Sequence, residues 1–264
     1  MMVGLFVLVV SADLAHSLSA TTQHRATRVE ALRRASGQGT IVVSPSLAKA
    51  NLCCLGEEVK AVVDAGAEWL HLSVQDGRMV PKISFGTPLV AAVRKVVPEE
   101  IILDVKLSVV EPEHRLRDFV EAGADILSVH PEATLQLPAV INAIDAAGCA
   151  TGAVLNPGTS VSTIEPILDR LDVIVVMLVN PGWGGPKYLE TALDKIKTLR
   201  ALCAKRGLHP WIEVDGGISS KNAPALLQAG ANALVAGGSV FTADDKRAAI
   251  GALKGGTAPP RVPA

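Results

Sequence analysis

Short apolar runs recur along the chain and alternate with segments in which apolar residues follow a helical period. The runs are rich in β-branched residues and end at polar or glycine positions, as expected of strands that are buried on both faces. The strand-like runs are IVVSPS, WLHLSV, IILDVKL, ILSVH, ATGAVLN, VIVVMLV, WIEVD and ALVAGG. The helix-like segments include LGEEVKAVVDAG, EPEHRLRDFVEAG, LPAVINAIDAAG, LETALDKIKTLRALCAKRG and NAPALLQAG. Eight strand-like runs in this order predict an α/β protein with the (β/α)8 architecture of a TIM barrel.

A repeated junction between helix and strand supports this architecture. The segments DAGAE, EAGAD, AAGCA and QAGAN each place a glycine where a helix ends and the next strand begins. Glycine closes a helix there because it adopts the left-handed conformation without strain. A doubly wound open sheet is the competing architecture, but it does not ordinarily contain eight evenly spaced units. We therefore predict a barrel over residues 41–253.

Composition and charge limit the classes of partner. The chain has 264 residues, of which 49% are hydrophobic, and its formal net charge is -1. Such a chain buries a large core and has no electrostatic reason to bind nucleic acid. The end of the chain, GGTAPPRVPA, has the composition of a disordered segment, so residues 254–264 are predicted to form a disordered tail.

The first 40 residues differ from the rest of the chain. The apolar run VGLFVLVV is too short to span a bilayer, and small residues suited to cleavage follow it. The next stretch, TTQHRATRVEALRRASGQGT, is basic and rich in hydroxyl groups. Together they predict a signal sequence joined to a transit peptide over residues 1–40, which suggests a plastid protein with no membrane segment in its mature form. The alternatives are a disordered extension and a cytoplasmic protein.

Polar residues stand at the carboxyl ends of the predicted strands, where the active sites of TIM barrels lie. They are Ser46, His71, Ser73, Lys106, His130, Asn156, Asn180 and Asp215. Three glycine-rich loops, NPGWGGP, VDGG and AGGS, follow the last three strands. Glycines allow backbone N–H groups to converge on an anion, and phosphate sites of such barrels lie after strands seven and eight. The pattern predicts a phosphorylated small ligand.

Several of these motifs resemble those of the ribulose-phosphate 3-epimerase family from about Ile41 to Asp245. They are VSPSLAKANLCCLGEEV, QDGRMVP, VEPE, AGADILSVHPE, VLNPGT, VNPGWGG, WIEVDGGI and AGANALVAG. The resemblance implies a barrel of the ribulose-phosphate-binding type that interconverts D-ribulose 5-phosphate and D-xylulose 5-phosphate through an enediolate. It also implies two aspartate proton carriers, a divalent metal (zinc, iron or manganese), a possible homo-oligomer, and a role in the Calvin cycle or in the cytosolic pentose phosphate pathway.

The resemblance assigns site residues one by one. Ser46 matches the serine of strand one, His71 matches a metal-binding histidine, and Asp215 matches the second catalytic aspartate. Ser73 replaces the first catalytic and metal-binding aspartate, and Lys106 replaces the second metal-binding histidine. The glycines at the positions that bind the substrate phosphate are Gly184, Gly185, Gly216, Gly217, Gly237 and Gly238, of which Gly238 stands in place of a serine.

These substitutions change the expected chemistry. Only His71 and Asp215 remain of the four metal ligands, and a protonated lysine repels a cation, so we expect no tightly bound metal. Asp215 remains as the obvious general base, because serine is too weak a base unless a neighbouring group activates it. Lys106 could stabilise the enediolate in place of the metal, and His71 or Lys106 could replace the missing proton carrier. The predicted catalytic set is therefore Asp215, Lys106, His71 and Ser73.

Two other interpretations remain open. Lys106 could merely neutralise Asp215 and Asp104 in a catalytically inactive paralogue that still binds pentose phosphates. The segment DVK also resembles part of the Asp-x-Lys-x-x-Asp motif of phosphosugar decarboxylases, which would use Asp104 and Lys106. Val109 stands where the third acid of that motif would be, so the match covers two residues only.

Overall fold

Eight parallel strands form one sheet in a computed structural model that describes residues 23–183 and 189–255. The strands are β1 (Val42–Pro45), β2 (Trp69–Gln75), β3 (Ile102–Ser108), β4 (Ile126–Val129), β5 (Ala150–Leu155), β6 (Val173–Met177), β7 (Trp211–Asp215) and β8 (Ala233–Ala236). Strands β2 to β8 pair with their neighbours in chain order, and β1 pairs with β8. A parallel bridge between Ser46 and His71 joins β1 to β2. The predicted (β/α)8 barrel is confirmed.

Helices surround the sheet. They are α1 (residues 23–36), α2 (Leu55–Asp64), α3 (Thr87–Val96), α4 (Leu116–Glu121), α5 (Leu137–Ala146), α6 (Leu189–Lys205), α7 (Ala223–Ala229), α8 (Gly238–Phe241) and α9 (Lys246–Lys254). Short 3-10 segments cover Leu47–Lys49, Leu52–Cys54, Pro112–His114, Pro131–Ala133, Val161–Thr163 and Glu165–Arg170. The last two replace an α-helix between β5 and β6. Within residues 23–183 and 189–255, every helix is too short or too polar to cross a membrane.

The junction glycines have the predicted backbone conformation. Gly66, Gly123, Gly148 and Gly230 all have positive φ, and Gly230 caps α7 in the left-handed region. At Gly123 a side chain would also meet Arg94, because a Cβ there would lie 2.6 Å from Arg94 Cγ. Glycine therefore allows each helix to end sharply and the next strand to begin at once.

The side chains that point into the barrel form layers, because alternate residues of each strand face the same way. The layer nearest the amino ends of the strands is apolar and contains Val42, Trp69, Ile102, Ile126, Ala150, Val173, Trp211 and Ala233. The rings of Trp69 and Trp211 meet edge to face with centroids 5.0 Å apart. The next layer contains buried polar groups, including Ser44, His71, Asp104, Ser128 and Glu213. The interior thus becomes polar towards the carboxyl ends of the strands.

Helix α1 covers the amino end of the barrel. Its residues Val29 and Leu32 are buried against the apolar layer, and Trp211 Nε1 donates a hydrogen bond of 3.0 Å to the Leu32 carbonyl. Arg28 donates from Nε and Nη2 to Asp125 Oδ1 at 2.8 and 2.7 Å. Burial acts to raise the pKa of Asp125, and the charge of Arg28 opposes this rise.

This helix moves the boundary of the folded unit. The sequence predicted a leader or disordered extension over residues 1–40, yet residues 23–36 form a helix that packs on the barrel. The apolar residues of α1 lie within a basic segment of the sequence, and the residues that the helix contacts are far along the chain. Residues 1–22 of the predicted leader and residues 256–264 of the predicted tail lie outside the described residues.

Glu213 is a buried acid in the polar layer. Burial raises its pKa well above the ordinary value, and the negative charge of Asp104 and a hydrogen bond with Asp104 raise it further. This shift favours the protonated form of Glu213, which can donate its proton to Asp104. This shared proton gives a partner to carboxyl oxygens of Glu213 and Asp104 that otherwise have none among the described residues.

We expect Arg28→Ala to lower the free energy of unfolding by about 3 kcal/mol, because it leaves Asp125 buried without its main counter-charge. Arg94 Nη1 remains 3.3 Å from Asp125, which places the loss at the low end for a buried pair. Arg34→Ala is the control on the same helix, because its pair with Glu30 is exposed, and we expect a change within about 0.5 kcal/mol. Urea unfolding followed by tryptophan fluorescence measures both. Equal losses would contradict the assigned role of Arg28.

The raised pKa of Glu213 predicts a specific dependence of stability on pH. The folded state favours the protonated acid, so its contribution is fully present below the ordinary pKa of 4.5 and is lost as pH rises towards the higher folded value. Glu213→Gln keeps a neutral donor, and we expect its stability to gain on the wild type as pH rises above 4.5. The exposed Glu100→Gln is the control and should show no such trend. Denaturation curves across this pH range test the expectation.

Candidate active site

Three strands place ionisable side chains at the carboxyl-terminal mouth of the barrel. Strand β2 supplies His71 and Ser73, β3 supplies Lys106, and β7 supplies Asp215. Ser73 lies opposite Lys106 in the register of β2 and β3, and both are buried side chains of the same layer. The structure thus brings together the four residues that the sequence predicted as catalytic.

An ion pair between Lys106 and Asp215 lies at the centre of this mouth. Lys106 Nζ donates to Asp215 Oδ2 and lies 3.5 Å from Met177 Sδ. The Lys106 side chain is 2% exposed and that of Asp215 is 16% exposed, so the carboxylate is the more accessible partner. Burial acts to raise the pKa of Asp215, but the positive charge of Lys106 and its hydrogen bond outweigh burial and hold the pKa below its ordinary value. Asp215 is therefore ionised at neutral pH.

A chain of hydrogen bonds runs from the interior to the mouth. Asp104 Oδ2 lies 2.5 Å from His71 Nδ1, and His71 Nε2 lies 3.0 Å from Ser73 Oγ. His71 Nε2 is also 3.8 Å from Asp215 Oδ2. The sequence indicated Asp104 only as a possible partner of Lys106 or as part of a decarboxylase motif, and it did not indicate the contact of Asp104 with His71. Asp104 is thus a site residue that the epimerase interpretation had not included.

The same contacts bear on the decarboxylase interpretation. Asp104 contacts His71, whereas Lys106 contacts Asp215, and no described hydrogen bond or ion pair joins Asp104 to Lys106. Val109, at the position of the missing acid, is a buried apolar residue. The local geometry therefore does not reproduce an Asp–Lys–Asp arrangement.

The residues at the expected metal position do not fit a divalent ion. Ser73 and Lys106 replace two of the four ligands that the resemblance implies, and the Lys106 ammonium contacts the carboxylate oxygen of Asp215. That positive charge opposes a cation at the same oxygen, so the metal expected for the family is not accommodated there.

A deeper group of side chains could in principle hold a cation. The ligand atoms of His71, Asp104 and Glu213 all lie within 4.8 Å of one another, and all three residues are fully buried. However, His71 Nδ1 is engaged by Asp104, and the pKa of Glu213 is raised, which favours the protonated form of its carboxyl. A metal would have to displace this hydrogen bond and the Glu213 proton.

A second serine–histidine pair lies at the end of β3 and just after β4. Ser108 Oγ is 3.0 Å from His130 Nε2, the same separation as between Ser73 and His71. His130 Nδ1 has no hydrogen-bond partner among the described residues. Burial and the charge of Lys106 lower the pKa of His130 to about 3, so its ring is neutral. This pair therefore lacks the carboxylate that the first pair has.

The glycine loops after β7 and β8 leave little room for side chains. Gly216 and Gly217 have φ of 121° and 64°, and a Cβ on Gly216 would lie 2.8 Å from Val179 Cγ2. Gly237 and Gly238 precede and begin α8, and a Cβ on Gly237 would lie 2.7 Å from Lys49 Cγ. The predicted phosphate residues Gly184 and Gly185 lie outside the described residues.

Ser46 and Lys49, which follow β1 in the chain, adjoin the loop after β8. Ser46 N donates a hydrogen bond of 2.9 Å to the Ala236 carbonyl, which places Ser46 beside Gly237. Lys49 belongs to the 3-10 segment that follows, and its stem packs on Gly237. The sequence interpretation had included Ser46 but not Lys49, although Lys49 follows that serine by only three residues.

Solved structures with the same fold include several phosphosugar enzymes. A 3-hexulose-6-phosphate synthase superposes with a TM-score of 0.62 at 20% identity, covering 81% of this chain and 98% of that protein. The 3-keto-L-gulonate-6-phosphate decarboxylase of Vibrio cholerae O1 biovar El Tor gives 0.61 at 16% identity, covering 81% and 97%. At these identities the similarity shows the fold alone.

Sequence comparison is more specific. The model of the ribulose-phosphate 3 epimerase family matches residues 42–241. The chloroplastic ribulose-5-phosphate-3-epimerase of Arabidopsis thaliana is 50% identical over 224 residues, which cover 84% of this chain and 79% of that protein. The ribulose-phosphate 3-epimerase of Synechocystis sp. is 47% identical over 221 residues, covering 83% and 95%. The chain therefore belongs to the ribulose-phosphate 3-epimerase family.

Proposed function

We propose that this protein is a ribulose-phosphate 3-epimerase that interconverts D-ribulose 5-phosphate and D-xylulose 5-phosphate through an enediolate, without a bound metal. The relatives from Arabidopsis and Synechocystis carry the name of this activity. The observation that carries the proposal is the contact between Lys106 and Asp215 at the mouth of the barrel. It places a carboxylate base and a fixed positive charge side by side.

The reaction removes a proton from one face of a carbon and returns a proton to the other face. Asp215 acts as the base on one face, since its carboxylate is ionised and is the most exposed member of the ion pair. Lys106 supplies positive charge for the enediolate oxygens, a role that a metal would otherwise fill. His71 and Ser73 lie next to this pair and supply the proton transfer on the second face.

The phosphate of the substrate binds at the loops after β6, β7 and β8. The conformations of Gly216 and Gly217, and the close approach at Gly237, support a site formed by backbone N–H groups. Ser46 and Gly238 adjoin it, and the ammonium of Lys49 adds positive charge on the side of β1. Gly184 and Gly185 complete the proposed set of substrate-binding residues.

A binding protein without turnover is the second candidate function. The observation that favours it is the same ion pair, because Lys106 stabilises the ionised form of Asp215 and so weakens it as a base. In addition, Ser73 provides no carboxylate. Such a protein would keep the phosphate site and bind pentose phosphates unchanged.

We also propose that the protein acts in a plastid, in the Calvin cycle. The name of the Arabidopsis relative includes the word chloroplastic, and the apolar and basic residues at the start of this chain support a leader. Because α1 packs on the barrel, the leader would be cleaved before residue 23. A cytoplasmic protein is the alternative.

We expect the purified protein to form xylulose 5-phosphate from ribulose 5-phosphate in a coupled assay, and to keep this activity after treatment with EDTA. Lys106→Met should lower kcat by about 100- to 1,000-fold, because it removes the charge that stabilises the enediolate. Asp215→Asn is the inactive reference. Activity no higher than that of Asp215→Asn, together with retained binding of ribulose 5-phosphate, would establish the binding protein instead.

The double substitution Ser73→Asp with Lys106→His provides the matched control for metal dependence. It restores both replaced ligands, so activity in the presence of zinc or manganese should become sensitive to EDTA. Loss of activity on chelation in the unmodified protein itself would contradict metal-independent chemistry.

The proposed leader predicts where a fused reporter goes. Residues 1–40 joined to a fluorescent protein should direct it to plastids, and the mature protein should begin at or before residue 23. Edman sequencing of the protein isolated from its own cells identifies the first residue of the mature protein. A diffuse cytoplasmic signal, or a mature protein that begins within α1, would contradict the proposal.

A further inference from the structure

Three buried side chains lie in line between the barrel interior and its mouth. The order is Asp104, His71, Ser73, with separations of 2.5 Å at His71 Nδ1 and 3.0 Å at His71 Nε2. Asp104 is the hydrogen-bond partner of His71 Nδ1, and Ser73 is the hydrogen-bond partner of His71 Nε2. This is the arrangement in which a histidine activates a serine hydroxyl while a carboxylate fixes the histidine tautomer.

We propose that Ser73, His71 and Asp104 form a proton relay that acts as the second proton carrier of the epimerisation. This inference rests on the proposed function. On one face of the substrate, Ser73 Oγ takes the proton from carbon as its own hydroxyl proton passes to His71 Nε2. In the opposite direction, His71 returns a proton to Ser73 Oγ as the Ser73 hydroxyl proton passes to carbon. Asp104 accepts the hydrogen bond from His71 Nδ1–H throughout.

Burial determines which member of the relay meets the substrate. His71 and Asp104 are 0% exposed, whereas Ser73 is 8% exposed and faces the mouth. Only the serine hydroxyl can therefore reach the reacting carbon. Ser73 is the catalytic residue of the relay, His71 acts through Ser73, and Asp104 is a positioning residue.

After turnover, a proton can also pass between the relay and Asp215, which returns both carriers to their starting protonation states. One turnover leaves a proton on one of the two carriers and removes a proton from the other. His71 Nε2 is 3.8 Å from Asp215 Oδ2, a separation that a small movement of the ring or a bridging water can close for proton return. The number of protons on the enzyme is then unchanged.

The Ser108–His130 pair shows what the carboxylate adds. The serine–histidine distance is 3.0 Å in both pairs, but only His71 has an acid at Nδ1. Without that acid, nothing fixes the His130 tautomer or stabilises a proton on its ring. Ser108 therefore lacks this activation, and at 0% exposure it is also less accessible than Ser73.

Turnover in D2O tests the relay. Ser73→Ala and His71→Gln should each lower interconversion by about 100-fold or more. They should still exchange the C3 hydrogen of the one epimer that Asp215 deprotonates. Asp104→Asn should lower kcat with KM unchanged. Ser44→Ala is the control, since this inward-facing hydroxyl has no partner among the described residues, and its activity should match the wild type.

The outcomes separate the two proposals. If the wild type shows neither exchange nor interconversion, the proposed epimerase function fails. If the wild type is active and Ser73→Ala or His71→Gln retains interconversion within about twofold, the relay is overturned while the function stands. An Asp104→Asn variant that changes KM alone overturns the positioning role of Asp104.

Chemical labelling tests the activation of Ser73 without requiring turnover. With diisopropyl fluorophosphate, Ser73 Oγ attacks phosphorus, the P–F bond breaks, fluoride leaves and the serine proton passes to His71. Peptide mass spectrometry should find Ser73 modified in the wild type and in Asp215→Asn, but not in His71→Gln or Asp104→Asn. Absence of label on wild-type Ser73, or equal label in all four proteins, overturns the activation.

Discussion

The ion pair between Lys106 and Asp215 is the interaction on which the rest of the site depends. An ammonium that is 2% exposed inside a barrel requires a carboxylate partner, since burying an unpaired charge is prohibitively costly. Asp215 is that carboxylate, and the charge of Lys106 keeps Asp215 ionised. The same contact occupies the oxygen that a metal would use. One lysine thus holds Asp215 in its ionised form and opposes a cation at the same oxygen.

Charge balance explains why the substitutions at Ser73 and Lys106 belong together. The family arrangement implied by the resemblance balances two aspartates against a divalent ion. Here a single aspartate faces a single ammonium, so the mouth is again neutral. Either substitution alone would leave an uncompensated charge in a buried layer. Below them, the raised pKa of Glu213 favours its neutral form beside Asp104, which limits the negative charge that the deeper layer carries.

Much of this architecture could be predicted from the sequence, because strand alternation and the spacing of strand ends are local properties. They identified the barrel and the inward faces of β2 and β3. The sequence could not predict which acid forms the ion pair with Lys106. Lys106 had two inward-facing acids within reach, and only the three-dimensional arrangement shows that it pairs with Asp215 while Asp104 binds His71. Helix α1 was missed for a similar reason, since its arginines pair with acids that are distant in sequence.

Those distances have a consequence for the order of folding. Arg28 and Asp125 are 97 residues apart, and Leu32 and Trp211 are 179 residues apart. Helix α1 is among the first segments to leave the ribosome, yet its docking surface is incomplete until β7 has joined the sheet. It must therefore dock late, after the costly closure of long loops. Until then the apolar face of α1, which carries Val29 and Leu32, lacks the layer that buries it in the folded barrel.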